Sequence, residues 1–196
     1  VGGVMLINGI LAQMIFDRNK FRHEFFVEES YVIQWMYPYL TPHGLIMKIN
    51  AEPLPALPLD VIRNDLDFWD WYTRRLIANP KFKRDVVAQK SFSKLRSAIA
   101  GLYAVRGHFA QAETAFKEAL RLYVLSPEAN FRLADLYLRS NRFQEALQVM
   151  AQFAQMDPAN TRAFDFMREI ENRISLVNRR QELEGILAKG ATDINQ

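Results

Sequence analysis

Apolar and small residues recur with one spacing along two consecutive stretches in the C-terminal half of the chain. The matched pairs, each 34 residues apart, are Ile99 with Leu133, Ala100 with Ala134, Tyr103 with Tyr137, Gly107 with Asn141, Phe109 with Phe143, Ala112 with Ala146, Phe116 with Met150 and Ala119 with Phe153. Within each stretch these positions follow helical spacing. Gly107 and Asn141 interrupt the helices at the same point, and both residue types tolerate the positive φ of a tight turn. The pattern predicts two helix–turn–helix repeats over residues 91–160.

A helix–turn–helix period of 34 residues with this pattern resembles the tetratricopeptide repeat family. The resemblance implies a scaffold that binds a protein or peptide and rarely catalyses a reaction. In that family the partner lies along a concave face, which the first helix of each repeat lines. The corresponding positions are Lys94, Ser97, Gly101, Ala104 and Val105 in the first repeat and Glu128, Phe131, Asp135, Leu138 and Arg139 in the second.

This carry-over predicts a partner-binding groove, whose members are Lys94, Ser97, Phe131, Asp135, Leu138 and Arg139. The set mixes an aromatic anchor, an aliphatic residue and both signs of charge, as expected where a peptide is held. The subfamily that clamps a C-terminal carboxylate resembles this chain poorly, because Ser97 and Gly101 stand at its lysine and asparagine positions. The alternative is that the N-terminal half of the chain fills the groove.

The chain begins with an uncharged stretch over residues 1–16. Leu6, Ile10 and Met14 follow near-helical spacing, so we predict a helix that ends at residues 17–19. We favour a helix packed against the protein core. The alternative is a segment adjoining a membrane part that lies outside this sequence.

Two short strands are predicted after this helix. Residues 25–27 and 45–49 are rich in β-branched and aromatic residues, and the stretch between them contains Pro38 and Pro42. We therefore expect a small two-stranded element with a loop or helical turn between its strands.

Three prolines, at positions 53, 55 and 58, favour an extended connector. Asp60 is placed to cap the next helix, on which Val61, Leu66, Trp69, Tyr72 and Leu76 are expected to share a face.

Beyond residue 160 the repeat pattern fails. Phe164, Met167, Ile170, Ile174 and Val177 form a stripe on one long helix that we expect to end near Gly190.

Together these elements predict a mainly α fold with tetratricopeptide-like α–α repeats. Residues 1–58 form a helix and a small α+β element, and residues 59–90 form a linking helix. Residues 91–160 hold the two repeats, and residues 161–196 form a long capping helix and tail. Since about three repeats are needed for stability, the N-terminal half should pack on the first repeat.

The charge balance excludes few partners. With 25 basic and 22 acidic residues the net charge is +3, which does not imply binding to nucleic acid. The chain has no cysteine, so it can form no disulfide and no thiolate nucleophile. Localisation therefore stays open.

Catalytic motifs are not found in the sequence. His23 and Glu24 begin a zinc-protease motif, but Val27 stands where the second histidine is required. Asp65 and its acidic neighbours on the linking helix are predicted to be solvated surface charges. We expect no catalytic residue, no cofactor and no metal site.

The stretch from Phe68 to Tyr72 is unusually aromatic. Trp69 and Trp71 could form a patch that stacks on a sugar or a cation, and core packing is the competing explanation.

Residues 25–48 and 91–102 carry a second resemblance, to the soluble C-terminal region of bacterial multi-spanning membrane proteins related to protein O-mannosyltransferases. It implies an accessory region that contacts carbohydrate or a lipid-linked substrate, with membrane association through a region outside this sequence.

The function we favour is a non-catalytic protein-interaction module. Its partner is then a protein, a peptide or a domain of the same full-length protein.

Overall fold

The computed structural model describes residues 2–28 and 32–193 and is mainly α-helical. Its helices are α1 (Gly2–Asn19), α2 (Leu59–Ala78), α3 (Val86–Val105), α4 (Phe109–Leu122), α5 (Pro127–Arg139), α6 (Phe143–Met156) and α7 (Thr161–Asp193). The strands are β1 (Phe25–Val27), β2 (Leu40–His43) and β3 (Ile46–Ile49), and short 3-10 helices cover Gln34–Tyr39 and Phe82–Arg84. The predicted fold class is confirmed.

The chain divides into two compact units. Unit 1 is Val1–Ala129 and contains the sheet, α1 to α4 and the start of α5. Unit 2 is Asn130–Gln196 and contains the rest of α5 with α6 and α7.

The sheet of unit 1 has three antiparallel strands in the order β1-β3-β2, one more than the sequence predicts. The additional strand is β2, which was expected to be a loop because it contains Pro42. Pro42 is opposite Met47 in the register. Proline is tolerated here because β2 is an edge strand. No further strand lies on its outer side, so no hydrogen bond between strands is lost there when the N–H is missing.

The first helix is not the packed helix that we favoured. Its C-terminal end is held through Phe16, which is 2% exposed and meets Phe25, Trp35 and Tyr39 at ring-centroid distances of 5.4, 5.4 and 5.3 Å. Gly9, in the middle of the helix, is buried against the side chain of Ile33. Most of its large apolar side chains lie on the surface instead. Helical spacing predicts a helix, but cannot reveal whether another element covers it.

No helix among the described residues has the length and hydropathy required to cross a membrane.

Helix α2 buries a different face from the one predicted. Its buried residues are Ile62, Asp65, Trp69 and Thr73, whereas the other apolar residues of the predicted face are half-buried. The helix begins at Leu59 with Pro58 as its N-cap residue, so Asp60 lies in the first turn and is not the cap. A carboxylate in the first turn still interacts favourably with the helix dipole.

The repeat helices form as predicted. Helix α3 begins at Val86, upstream of the expected start at Ser91, because the Asp85 carboxylate accepts a 2.9 Å hydrogen bond from the Ala88 N–H and caps it there. Gly107 and Asn141 have φ values of 78° and 58°, so each repeat turns at the predicted residue.

Helix α7 runs past the expected end at Gly190 to Asp193. Among the side chains of α7 that the structure describes, Ala163 and Ile170 are buried, while Phe164, which the sequence places in the apolar stripe, is 44% exposed. Phe166 is half-buried in its place. The stripe is therefore shifted around the helix at its N-terminal end.

Ala146→Leu is expected to lower the free energy of unfolding by about 1 to 3 kcal/mol, because Ala146 is fully buried on α6 and a larger side chain overpacks the site. Chemical denaturation followed by circular dichroism measures the change. Gln148→Leu on the exposed side of the same helix is the matched control. An unchanged stability of Ala146→Leu would contradict the repeat register.

Candidate partner-binding site

The groove positions predicted in unit 1 do not form an open surface. Of the two predicted groove residues there, Lys94 lies on the surface and Ser97 is fully buried. The N-terminal half packs on the first repeat, as predicted. Arg106, which follows α3, donates hydrogen bonds to the carbonyl oxygens of Tyr37 and Pro38, both at 3.3 Å, and of Leu54.

A buried charge cluster joins α2 to α3 and α4. We use this name for Arg96, Asp65, Glu118 and Tyr103. Arg96 Nε donates to Glu118 Oε2 at 2.7 Å, and its Nη1 donates to Asp65 Oδ2 at 2.8 Å. The Tyr103 hydroxyl donates to the same Asp65 oxygen at 2.7 Å. Asp65 was predicted to be a solvated surface charge, and this was wrong because residues distant in sequence enclose it.

The cluster places two carboxylates around one guanidinium away from water. Burial raises the pKa of the Glu118 carboxyl, and Arg96 opposes that shift. Burial, followed by the Asp65 carboxylate, raises the pKa of the Tyr103 hydroxyl, so it remains a hydrogen-bond donor at neutral pH. These groups are fully enclosed within unit 1, and we assign them a structural role.

The aromatic stretch on α2 divides between core and surface. Trp69 is fully buried, its indole N–H donates to the Gly44 carbonyl at 3.1 Å, and the Arg96 guanidinium lies 5.1 Å from its ring. Trp69 therefore lies in the core, not in a ligand patch. Trp71 is 52% exposed and stacks on Tyr72 with ring centroids 5.9 Å apart.

In unit 2 a cleft lies between α5 and the first turns of α7. Its lining residues are Phe131, Arg162, Asp165, Phe166 and Glu169, and its volume is about 380 Å³. The half-buried Phe131 ring lies 6.0 Å from the ring of Phe153 and 5.6 Å from that of Phe166. The guanidinium of Arg162 lies 5.6 Å from the centroid of Phe131. We call this the α5–α7 cleft.

The predicted site residues on α5 have different exposures. Phe131, Asp135 and Arg139 are four residues apart, so they share one helix face. Asp135 and Arg139 are exposed there, whereas Leu138 is buried and does not present a surface. Of the predicted groove residues in unit 2, only those on this face of α5 can contact a partner.

The α7 residues of the cleft were missed by sequence reasoning. Arg162, Asp165 and Glu169 each lie 34 residues after a predicted groove position of the second repeat. Applying the same offset once more would have found them. The offset alone does not indicate a third repeat, because the structural positions of such a repeat fail at Arg168 and Glu171.

Charged groups at the cleft are partly paired along α7. Arg168 contacts Asp165, and Arg173 contacts Glu169 at 2.7 Å. Because these pairs are exposed, each stabilises the helix by a fraction of a kcal/mol. Both carboxylates can therefore exchange their local partner for an incoming charged group at low cost.

Comparison with known proteins identifies the repeats. Residues 98–161 match the family model described as a tetratricopeptide repeat. Residues 98–161 are therefore tetratricopeptide repeats. The matched residues cover the C-terminal part of α3 and all of α4, α5 and α6, and such repeats are protein–protein interaction modules. No curated protein matches the chain significantly.

Solved structures of tetratricopeptide proteins are similar to parts of the chain. The Hsp90 co-chaperone Cns1 from Saccharomyces cerevisiae has 15% identity and a TM-score of 0.47, covering 65% of this chain and 45% of its own. The first tetratricopeptide domain of Spaghetti (RPAP3), bound to the HSP90 peptide SRMEEVD, has 21% identity and a TM-score of 0.38, covering 58% and 85%. A thermophilic tetratricopeptide protein from Thermus thermophilus, TTC0263, has 21% identity and a TM-score of 0.38, covering 58% and 63%.

The chain thus spans about half the length of the yeast co-chaperone chain, 45%. Neither the family match nor these structures support the second resemblance, to relatives of protein O-mannosyltransferases. Within residues 2–28 and 32–193, no group of three or more His, Asp or Glu side chains is arranged to hold a metal ion.

Proposed function

We propose that this tetratricopeptide protein is a non-catalytic module that binds a peptide segment of a partner protein in the α5–α7 cleft. The observation that carries the proposal is the half-buried ring of Phe131, placed in a cleft between two helices. It stands at a position through which the family contacts its partners. The partner can be a separate protein or another domain of the same full-length protein.

The lining of the cleft favours one class of segment. The rings of Phe131 and Phe166 offer an apolar surface for one side chain of the peptide. Arg162, Asp165 and Glu169 on α7 supply groups of both signs of charge. We therefore expect an apolar or aromatic residue flanked by charged residues, with the apolar residue contributing most of the affinity.

A terminal carboxylate is not the expected feature of the ligand. The lysine and asparagine positions of the carboxylate-clamping subfamily are occupied by Ser97 and Gly101, which are both buried. Internal segments should therefore bind as well as C-terminal ones.

Phe131→Ala is expected to weaken peptide binding by about 1 to 2 kcal/mol, because it removes the aromatic anchor of the cleft. Peptides are first selected by the wild-type chain from a random phage-displayed library. A selected peptide is then titrated calorimetrically against the wild type and the variant. Phe164→Ala is the matched control, because Phe164 is an exposed phenylalanine on α7 that does not line the cleft.

Thermal melting of both variants separates binding from folding. A variant that melts as the wild type does but binds less tightly supports the proposal. Equal affinity of Phe131→Ala and wild type, or selection of no peptide by the wild type, would contradict it.

A further inference from the structure

Helix α1 carries a concentration of exposed large apolar side chains. They are Leu6, Ile7, Ile10, Leu11, Met14 and Ile15, and each is between 46% and 67% exposed. Because consecutive pairs such as Leu6 with Ile7 and Leu11 with Ile10 point in different directions, the exposure is not confined to one stripe. An exposed apolar face this broad is typical of an apolar surrounding medium, not of a surface in water.

The chain changes character sharply where α1 ends. Residues 1–16 contain no charge, and residues 17–22 contain Arg18, Lys20 and Arg22 against a single acid, Asp17. We call these three basic residues the basic collar. Phe21 within the same turn is 75% exposed, and Lys20 Nζ lies 5.2 Å from its ring centroid.

Aromatic residues surround the same end of the helix. Trp35 and Tyr39 pack against Phe16, with ring centroids 5.4 and 5.3 Å from it, and Lys20 Nζ also lies 6.0 Å from the Tyr39 ring. Trp and Tyr beside Lys and Arg are typical of the boundary between lipid tails and headgroups. Along α1, apolar residues are therefore followed by aromatic and basic residues. The same order describes a membrane protein segment that passes from the lipid tails to the headgroups.

We propose that α1 inserts its exposed apolar side chains into a lipid bilayer that contains anionic lipid, with the basic collar at the level of the headgroups. Arg18 and Arg22 are exposed and are then attracted to the lipid phosphates, which their long side chains can reach from the helix end. Lys20 is mostly enclosed, with its Nζ 3.9 Å from Glu52 Oε1, and contributes less. Phe16 anchors the helix to the sheet of unit 1, which remains outside the lipid.

A second copy of the chain is a less suitable occupant. Helix pairing covers one stripe of each helix and would leave the remaining apolar side chains of α1 in water. Parallel pairing of two copies would also bring two basic collars together, and like charges across an interface oppose association. Both objections disappear in a bilayer.

Flotation with lipid vesicles tests the insertion. The chain should float with vesicles of phosphatidylcholine and phosphatidylglycerol, and Ile7→Ser with Ile10→Ser should lower vesicle affinity by at least about tenfold. Leu59→Ser removes an apolar side chain that is 77% exposed on α2 and should float as the wild type does. Arg18→Gln with Arg22→Gln should lower binding to the anionic vesicles more than binding to pure phosphatidylcholine.

A fluorescent label gives a second measurement that does not depend on loss of binding. The chain has no cysteine, so Ile10→Cys and Leu59→Cys each accept one environment-sensitive nitrobenzoxadiazole label. On adding anionic vesicles, the label at position 10 should shift its emission to the blue, whereas the label at position 59 should not. Both labels are introduced at exposed sites, so folding should be retained.

Two results would overturn the inference. One is a wild-type chain that does not float with anionic vesicles, or whose label at position 10 does not respond to them. The other is concentration-dependent self-association in light scattering that Ile7→Ser with Ile10→Ser abolishes while flotation is unchanged, because α1 would then be a contact between copies.

Discussion

Arg96→Met is expected to lower the free energy of unfolding by about 3 to 5 kcal/mol, which is enough to unfold many domains of this size. Arg96 is fully buried, and it is the cation between the carboxylates of Asp65 and Glu118. Methionine fills much of the volume but leaves both carboxylates buried without a positive partner. The main cost is therefore electrostatic, not a loss of packing.

Urea denaturation followed by circular dichroism measures this change. Arg63→Met is the matched control, since Arg63 is exposed on α2, and its effect should be within about 0.5 kcal/mol. Adding Asp65→Asn and Glu118→Gln to Arg96→Met should recover part of the lost stability, because the groups that remain buried are then neutral. A loss in Arg96→Met no larger than in Arg63→Met would show that the cluster is open to water.

Trp69→Ala is expected to cost about 3 to 5 kcal/mol of stability, because it empties the largest fully buried side-chain site of unit 1. It also removes the 3.1 Å hydrogen bond that joins α2 to the Gly44 carbonyl, at the hairpin between β2 and β3. Removing the donor leaves that carbonyl short of a partner, which adds to the cost.

The matched control is Trp71→Ala, two residues along the same helix. Trp71 is half exposed, so its removal should cost about 1 kcal/mol or less. Thermal and urea unfolding of the two variants compare the same chemical change at a buried and an exposed position. Equal costs would contradict the division of the aromatic stretch into a core residue and a surface residue.

The repeats could be predicted from the sequence because the signal that defines them is local and occurs twice. The second helix of each repeat buries the small residue that the pattern requires, which is Ala112 on α4 and Ala146 on α6. The turn between helices needs positive φ, and only a few residue types adopt it readily. The N-terminal half packing on the first repeat also followed, because two repeats leave an apolar end uncovered.

The candidate site was predicted in part. Phe131 was identified from its repeat position, but the α7 side of the cleft was not, because α7 lacks the structural residues of a third repeat. Ser97 and Leu138 were assigned to the groove from position alone. Their burial depends on what packs against α3 and α5, which repeat position does not specify.

The sequence by itself determined the helical repeats, their turns and the aromatic character of α2, since these depend on residues close together in the chain. Only the tertiary structure decided that Asp65 and Trp69 are buried, that β2 joins the sheet, and that most of α1 remains exposed. Each of these depends on contacts between distant segments. A carboxylate such as Asp65 has the same sequence signature on a solvated helix as in a buried pair, and only the arrival of Arg96 from α3 distinguishes them.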